Sequence, residues 1–142
     1  MTLLPWNPPY DWHWMFSFLG ARAVQGIETF GDDGYRRSFA LNGCAGLITV
    51  MPDEAAQGMW VTLSAGLQPV ADECLMRVGR LLDLSCDPQQ VALTLGALAR
   101  PRPGLRLPGS LDPFEQAVRA VLGQLVSVAM AAKLTGKVVA AF

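Results

Sequence analysis

The sequence predicts an α+β fold, an antiparallel sheet with flanking helices followed by further helices. Three features lead there. Between residues 27 and 63 large and polar side chains alternate at period two, and Gly-Asp and Asn-Gly turns interrupt them. The sequence after residue 69 carries apolar residues at helical spacing. Twice, at Asp87-Pro88-Gln89-Gln90 and Asp112-Pro113-Phe114-Glu115, an Asp at the cap is followed by Pro at the first helical position and Gln or Glu at the third. At 142 residues and 51% hydrophobic content, the chain can bury a sizeable core.

Taken in order, Pro8-Pro9 holds the chain extended and Asp11 caps a helix expected over residues 12–23. Trp12, Phe16, Leu19 and Ala23 share one face of it, and Trp14, Phe18 and Arg22 the other. Strands follow at 27–30 and 35–41, joined by Gly31-Asp32-Asp33-Gly34. Asn42-Gly43 is the dipeptide of a type I′ hairpin, so 44–51 pairs antiparallel with the strand before it. A further strand at 59–63 completes a meander. A helix beginning near Pro69 carries Val70, Cys74, Leu75, Val78, Leu81 and Leu82 as one apolar stripe against the sheet.

Residues 100–109, rich in Pro and Gly, hold no regular structure and form an extended connection. From Asp112, helical spacing runs through Leu122 and resumes at Val128, with Gly123 and Ser127 marking a break and Ser127 a new cap. No glycine or proline stops the last segment, so the chain reads as ending within a helical domain that continues downstream, its apolar face open to self-association. The expected division is an α+β domain over 1–87 and the start of a helical domain over 88–142.

Residues 1–98 carry five arginines against ten acidic residues, a balance of −5, and residues 99–142 six cations against two acids, a balance of +4. A basic tail suits a polyanion and the acidic front does not. Cys44, Cys74 and Cys86 are odd in number, lie in apolar settings and lack metal-ligand spacing, which favours buried thiols. His13 has no partner in sequence, and the pairs Asp32-Asp33 and Asp53-Glu54 read as solvated turn residues. No apolar run reaches spanning length, and no basic-then-apolar leader opens the chain, so a cytoplasmic location without a membrane partner is expected. No glycine-rich phosphate loop, nucleophile elbow or metal cluster is present.

Three stretches together resemble one family: Trp6-Asn7-Pro8-Pro9-Tyr10-Asp11-Trp12 with Phe18-Leu19 and Ala21-Arg22-Ala23; Ser64-Ala65-Gly66-Leu67; and residues 100–134, above all Arg102-Pro103-Gly104-Leu105-Arg106-Leu107-Pro108-Gly109 and Leu122-Gly123-Gln124-Leu125-Val126-Ser127. They are similar to bacterial 3-methyladenine DNA glycosylase II, the AlkA type. The resemblance implies an enzyme of three domains: a sheet domain similar in fold to half of the TATA-binding protein, then two helical domains enclosing a cleft. Its activity is hydrolysis of the N-glycosidic bond of alkylated bases such as 3-methyladenine and 7-methylguanine in double-stranded DNA, with no cofactor or metal. The parent protein is expected to be a monomer.

Such chemistry requires the base to leave the stack and a wedge to hold the gap. The resemblance assigns the wedge to Leu125. Its spacing after Val121 and Leu122 equally fits a core leucine, and the turn at 123–127 favours exposure. Phe18 matches an aromatic of the base pocket, where a ring face attracts a cationic base; packing between helix and sheet is the competing reading. Trp14 and Arg22 share its face, and Gln124 neighbours the wedge. By the resemblance, the phosphate-gripping hairpin and the catalytic aspartate lie downstream, so no catalytic residue is assigned in this chain and the chain alone is expected to be inactive. The alternative is a non-catalytic DNA- or protein-binding module of a regulator.

Overall fold

A computed structural model describes residues 1–31 and 34–141. The strands are β1 (Thr2–Pro5), β2 (Glu28–Gly31), β3 (Gly34–Leu41), β4 (Cys44–Asp53) and β5 (Gly58–Leu63), all antiparallel in the order β1-β5-β4-β3-β2. The expected meander is therefore present. Asn42 and Gly43 turn β3 into β4 with φ of 50° and 76°, the two positive angles the hairpin demands. The Asp32-Asp33 pair lies outside the described residues.

Strand β1 was not expected. It pairs Leu3 with Trp60 and Leu4 with Met59. Four residues ending at a proline give too short an alternation to announce a strand, and its pairing with β5 spans more than fifty residues of sequence.

One face of the sheet is dry. Tyr35, Phe39, Ile48, Val50, Met59 and Val61 pack there against Met15 and Phe16 of helix α1 (Trp12–Gly20) and against Cys74, Val78 and Leu81 of helix α2 (Ala71–Leu81). The α2 stripe thus sits where its spacing put it, although a 3-10 turn over Ala65–Val70 takes up Pro69 and the α-helix begins at Ala71. Helix α1 starts as expected, with the Asp11 carboxylate accepting from Trp14 N at 3.0 Å. It ends at Gly20 rather than near residue 23, because Arg22 N and Ala23 N bond three residues back, to Leu19 O and Gly20 O, and tighten the chain out of the α-helix.

The repeated helix starts form helices α3 (Pro88–Leu95) and α4 (Pro113–Leu122), each capped by its Asp. Between them residues 100–111 strap back across the sheet unit. Gly104 O accepts from Asp11 N, Gly109 N donates to Leu81 O, and Leu111 is buried in the core. Arg106 is 3% exposed and donates from Nη2 to Asn7 O at 2.6 Å and Pro9 O at 2.9 Å. Helix α5 (Val128–Ala141) follows a break at 123–127, where Ser127 Oγ accepts from Met130 N at 3.2 Å. Among the described residues no helix is long and apolar enough to cross a membrane.

Candidate functional site

Helix α1, the β2–β3 edge and helices α4 and α5 border a cavity of about 400 Å³. Phe18 and Arg22 line one side, Ala131, Ala132 and Thr135 of α5 another. Gly123 and Val126 of the interhelical turn complete the rim.

The floor is ionic. Glu28 accepts from Arg119 Nη2 at 2.7 Å and from the Tyr35 hydroxyl at 3.0 Å, and Arg37 Nη1 stands 3.7 Å from it. Glu115 accepts from Arg37 Nη2 at 2.6 Å and also from Arg119. Glu28 and Arg37 oppose each other in the β2–β3 register, whereas Glu115 and Arg119 stand one turn apart on α4. Two arginines and two glutamates thus neutralise each other while joining the sheet to α4. Burial works against the Arg37 charge, but Tyr35, Glu115 and Glu28 outweigh it and raise its pKa. Burial also raises the Tyr35 pKa, so the phenol stays protonated and donates.

These four charged residues were not singled out in the sequence, yet a signal existed. A turn expected between the first two strands of the meander puts Glu28 opposite Arg37, and Glu115 and Arg119 have the i,i+4 spacing of a helical ion pair. What spacing cannot give is that the two pairs meet.

The sequence-derived site residues separate into two groups. Phe18 and Arg22 line the cavity, Trp14 and Gln124 do not. Trp14 stacks on Phe18 from behind, with ring centroids 5.0 Å apart and 27° between planes. Gln124, in the turn after α4, folds back along that helix, its Nε2 donating to Ala120 O at 3.1 Å. Arg22 holds its guanidinium carbon 3.6 Å over the centroid of the Phe18 ring and donates from Nη1 to Phe18 O at 3.0 Å.

Leu125 occupies the turn between α4 and α5 with φ of 60° and a fully exposed side chain. A left-handed backbone is unusual for a leucine. It projects this side chain outward where helical geometry would have laid it beside Val121. The core alternative therefore does not apply to its position.

Of the three cysteines read as buried thiols, Cys74 is buried whereas Cys44 and Cys86 are half-buried, and burial raises the Cys74 and Cys86 thiol pKa values. Asp53 is held down by the Ala56 backbone N–H and the Trp60 indole, and Glu54 accepts from Trp12 Nε1, so both acids of this turn have structural partners. Among the described residues no group of His, Cys, Asp and Glu is placed to hold a metal ion.

Residues 1–112 match the family model of the AlkA N-terminal domain. The chain is 58% identical over 138 residues to DNA-3-methyladenine glycosylase 2 of Escherichia coli K12, covering 97% of this chain and 49% of that protein. It is 36% identical over 148 residues to a Mycobacterium tuberculosis protein whose name pairs a transcriptional activator with the DNA repair enzyme AlkA, covering 98% of this chain and 29% of that protein. The chain thus spans half or less of the length of these relatives. Among solved structures, 3-methyladenine DNA-glycosylase from Archaeoglobus fulgidus superposes with a TM-score of 0.82 at 19% identity, over 100% of this chain and 51% of that one. At that identity the likeness concerns the fold alone.

Proposed function

The chain belongs to the AlkA N-terminal domain family, and from that membership we propose that it is the N-terminal portion of a DNA glycosylase of base-excision repair. The parent protein extrudes alkylated bases, 3-methyladenine and 7-methylguanine among them, from duplex DNA and hydrolyses the N-glycosidic bond. Residues 1–87 form the sheet domain and residues 88–142 begin the helical glycosylase domain. The parent works as a cytoplasmic monomer, and the isolated chain self-associates through the apolar face of α4, where Phe114 is 79% and Val121 72% exposed.

The observation that carries this reading is Leu125: a fully exposed leucine, held by a positive φ, on a turn whose neighbours Gly123 and Val126 rim the Phe18 cavity. A wedge must be apolar, exposed and rigidly presented, so that it fills the stack vacated by an extruded nucleotide while the base enters the adjoining pocket. Phe18 supplies an aromatic wall. An electron-rich ring selects cationic bases without a rigid hydrogen-bond code.

Catalysis belongs to the remainder of the parent protein. The two acids that line the cavity, Glu28 and Glu115, are committed to ion pairs with Arg37 and Arg119, which argues against either stabilising a developing sugar cation. Incubating the full-length protein with methylated duplex DNA and separating the released bases tests the proposal. Release of 3-methyladenine is expected from the parent and none at a comparable rate from the 142-residue chain. Absence of release by the parent, or equal release by the chain, overturns it.

A further inference from the structure

Both faces of the Phe18 ring are taken. Trp14, Phe18 and Arg22 follow one another at i, i+4 and i+8 and stack in that order, so Arg22 covers the face opposite Trp14. Trp14 lies behind the cavity wall, whereas Arg22 and Phe18 both line the cavity. A base entering this space therefore finds a guanidinium 3.6 Å from the centre of the ring.

The hold on that guanidinium is of an unusual kind for this molecule. Arg37 and Arg119 are locked between carboxylates, and Arg106 is buried on two backbone carbonyls. Among the described residues no carboxylate pairs with Arg22; its side chain rests on the Phe18 ring and the Phe18 carbonyl alone. Its backbone is fixed, since Arg22 O accepts from Arg119 Nη1 at 3.3 Å. The side chain can therefore move while its anchor stays.

We propose that Arg22 is a specificity-determining gate over Phe18, occupying in the resting protein the ring face that an extruded base takes and swinging aside on its arrival. The inference rests on the reading of Phe18 as a pocket wall. It carries a chemical consequence. Guanidinium and a cationic base compete for the same ring quadrupole and repel each other at short range, whereas a neutral base competes without the repulsion. Arg22 thus imposes a penalty on cationic lesions relative to neutral ones and restrains a pocket that would otherwise favour positive charge.

The test uses the full-length parent and two duplexes, one with a single 7-methylguanine and one with a single deoxyinosine, read as kcat/KM for excision. Arg22→Ala is expected to raise the cationic-over-neutral ratio roughly two- to thirtyfold, the range that a cation–π contact spans. Arg22→Met, which keeps the apolar stem over the ring and supplies a second variant should Ala impair folding, is expected to do the same. Arg22→Lys keeps the charge and should leave the ratio near that of the unchanged protein. A merely structural role would lower both substrates together and leave the ratio fixed, and that result overturns the gate. Phe18→Ala separates the two levels of the inference. If it impairs excision while Arg22 variants leave the ratio fixed, the gate fails and the pocket stands; if it leaves both substrates unaffected, the pocket reading fails and the gate with it.

Discussion

Leu125 and Arg106 show how far two residues of one short region can differ in what they do. Leu125 touches solvent, so its removal forfeits no packing. Leu125→Ala is expected to change folding stability by no more than about 0.5 kcal/mol in a urea titration, against the roughly 2–5 kcal/mol of a core leucine. The same substitution in the parent should weaken capture of damaged duplex. Arg106 is the reverse case. Its guanidinium ties the strap to Asn7 O and Pro9 O and lies 5.1 Å over the Tyr10 ring, while the Tyr10 hydroxyl donates to Leu82 O. Arg106→Met leaves two carbonyls without their donor, and each hydrogen bond to a charged group contributes about 1.5–3 kcal/mol. A loss of about 3–6 kcal/mol in the same titration is expected. Arg106→Lys should restore little of it, since one ammonium does not reproduce the planar fork.

At the scale of elements, the ionic floor fastens α4, and hence the turn that bears Leu125, to the sheet. Glu28 is its centre, accepting from Arg119, Tyr35 and the Val24 backbone while facing Arg37. Glu28→Gln would leave the buried Arg37 and the half-buried Arg119 to share Glu115, and breaking a buried ion pair on one side costs about 3–5 kcal/mol. Denaturant unfolding should show a loss of that order, with Tyr35→Phe far milder. The same elements explain what was legible beforehand. Capping boxes, the Asn42-Gly43 turn and the α2 stripe are local patterns, so cap, turn and buried face could each be read from adjacent residues. Strand β1 and the joining of Glu28–Arg37 to Glu115–Arg119 depend on partners distant in sequence, which no local period records. The site was half legible for the same reason. Helical spacing put Trp14, Phe18 and Arg22 on one face, but only the packing of α4 and α5 decides that Phe18 and Arg22 meet the cavity while Trp14 and Gln124 stay outside it.

Over the whole molecule, charge decides whether this chain grips DNA unaided. The balance of +4 over residues 99–142 looked suited to a polyanion, but three of its six cations are engaged within the fold. Arg102 pairs with Asp11, Arg119 with Glu28 and Glu115, and Arg106 is buried. Arg100, Lys133 and Lys137 keep exposed side chains, and the front of the chain stays acidic. Each phosphate neutralised by a protein cation contributes about 0.9 to the slope of log affinity against log salt concentration. Three such cations give a slope of magnitude no greater than about 3, and correspondingly weak binding. Anisotropy titrations of this chain on an undamaged duplex, from roughly 50 to 200 mM salt, should return that shallow slope. A slope of about 6 or more with tight binding would mean that the chain grips phosphate as a module in its own right, which is the behaviour of a regulator's DNA-binding part. A shallow slope would leave phosphate gripping to the rest of the proposed parent protein, and to this chain the roles proposed for Leu125, Phe18 and Arg22.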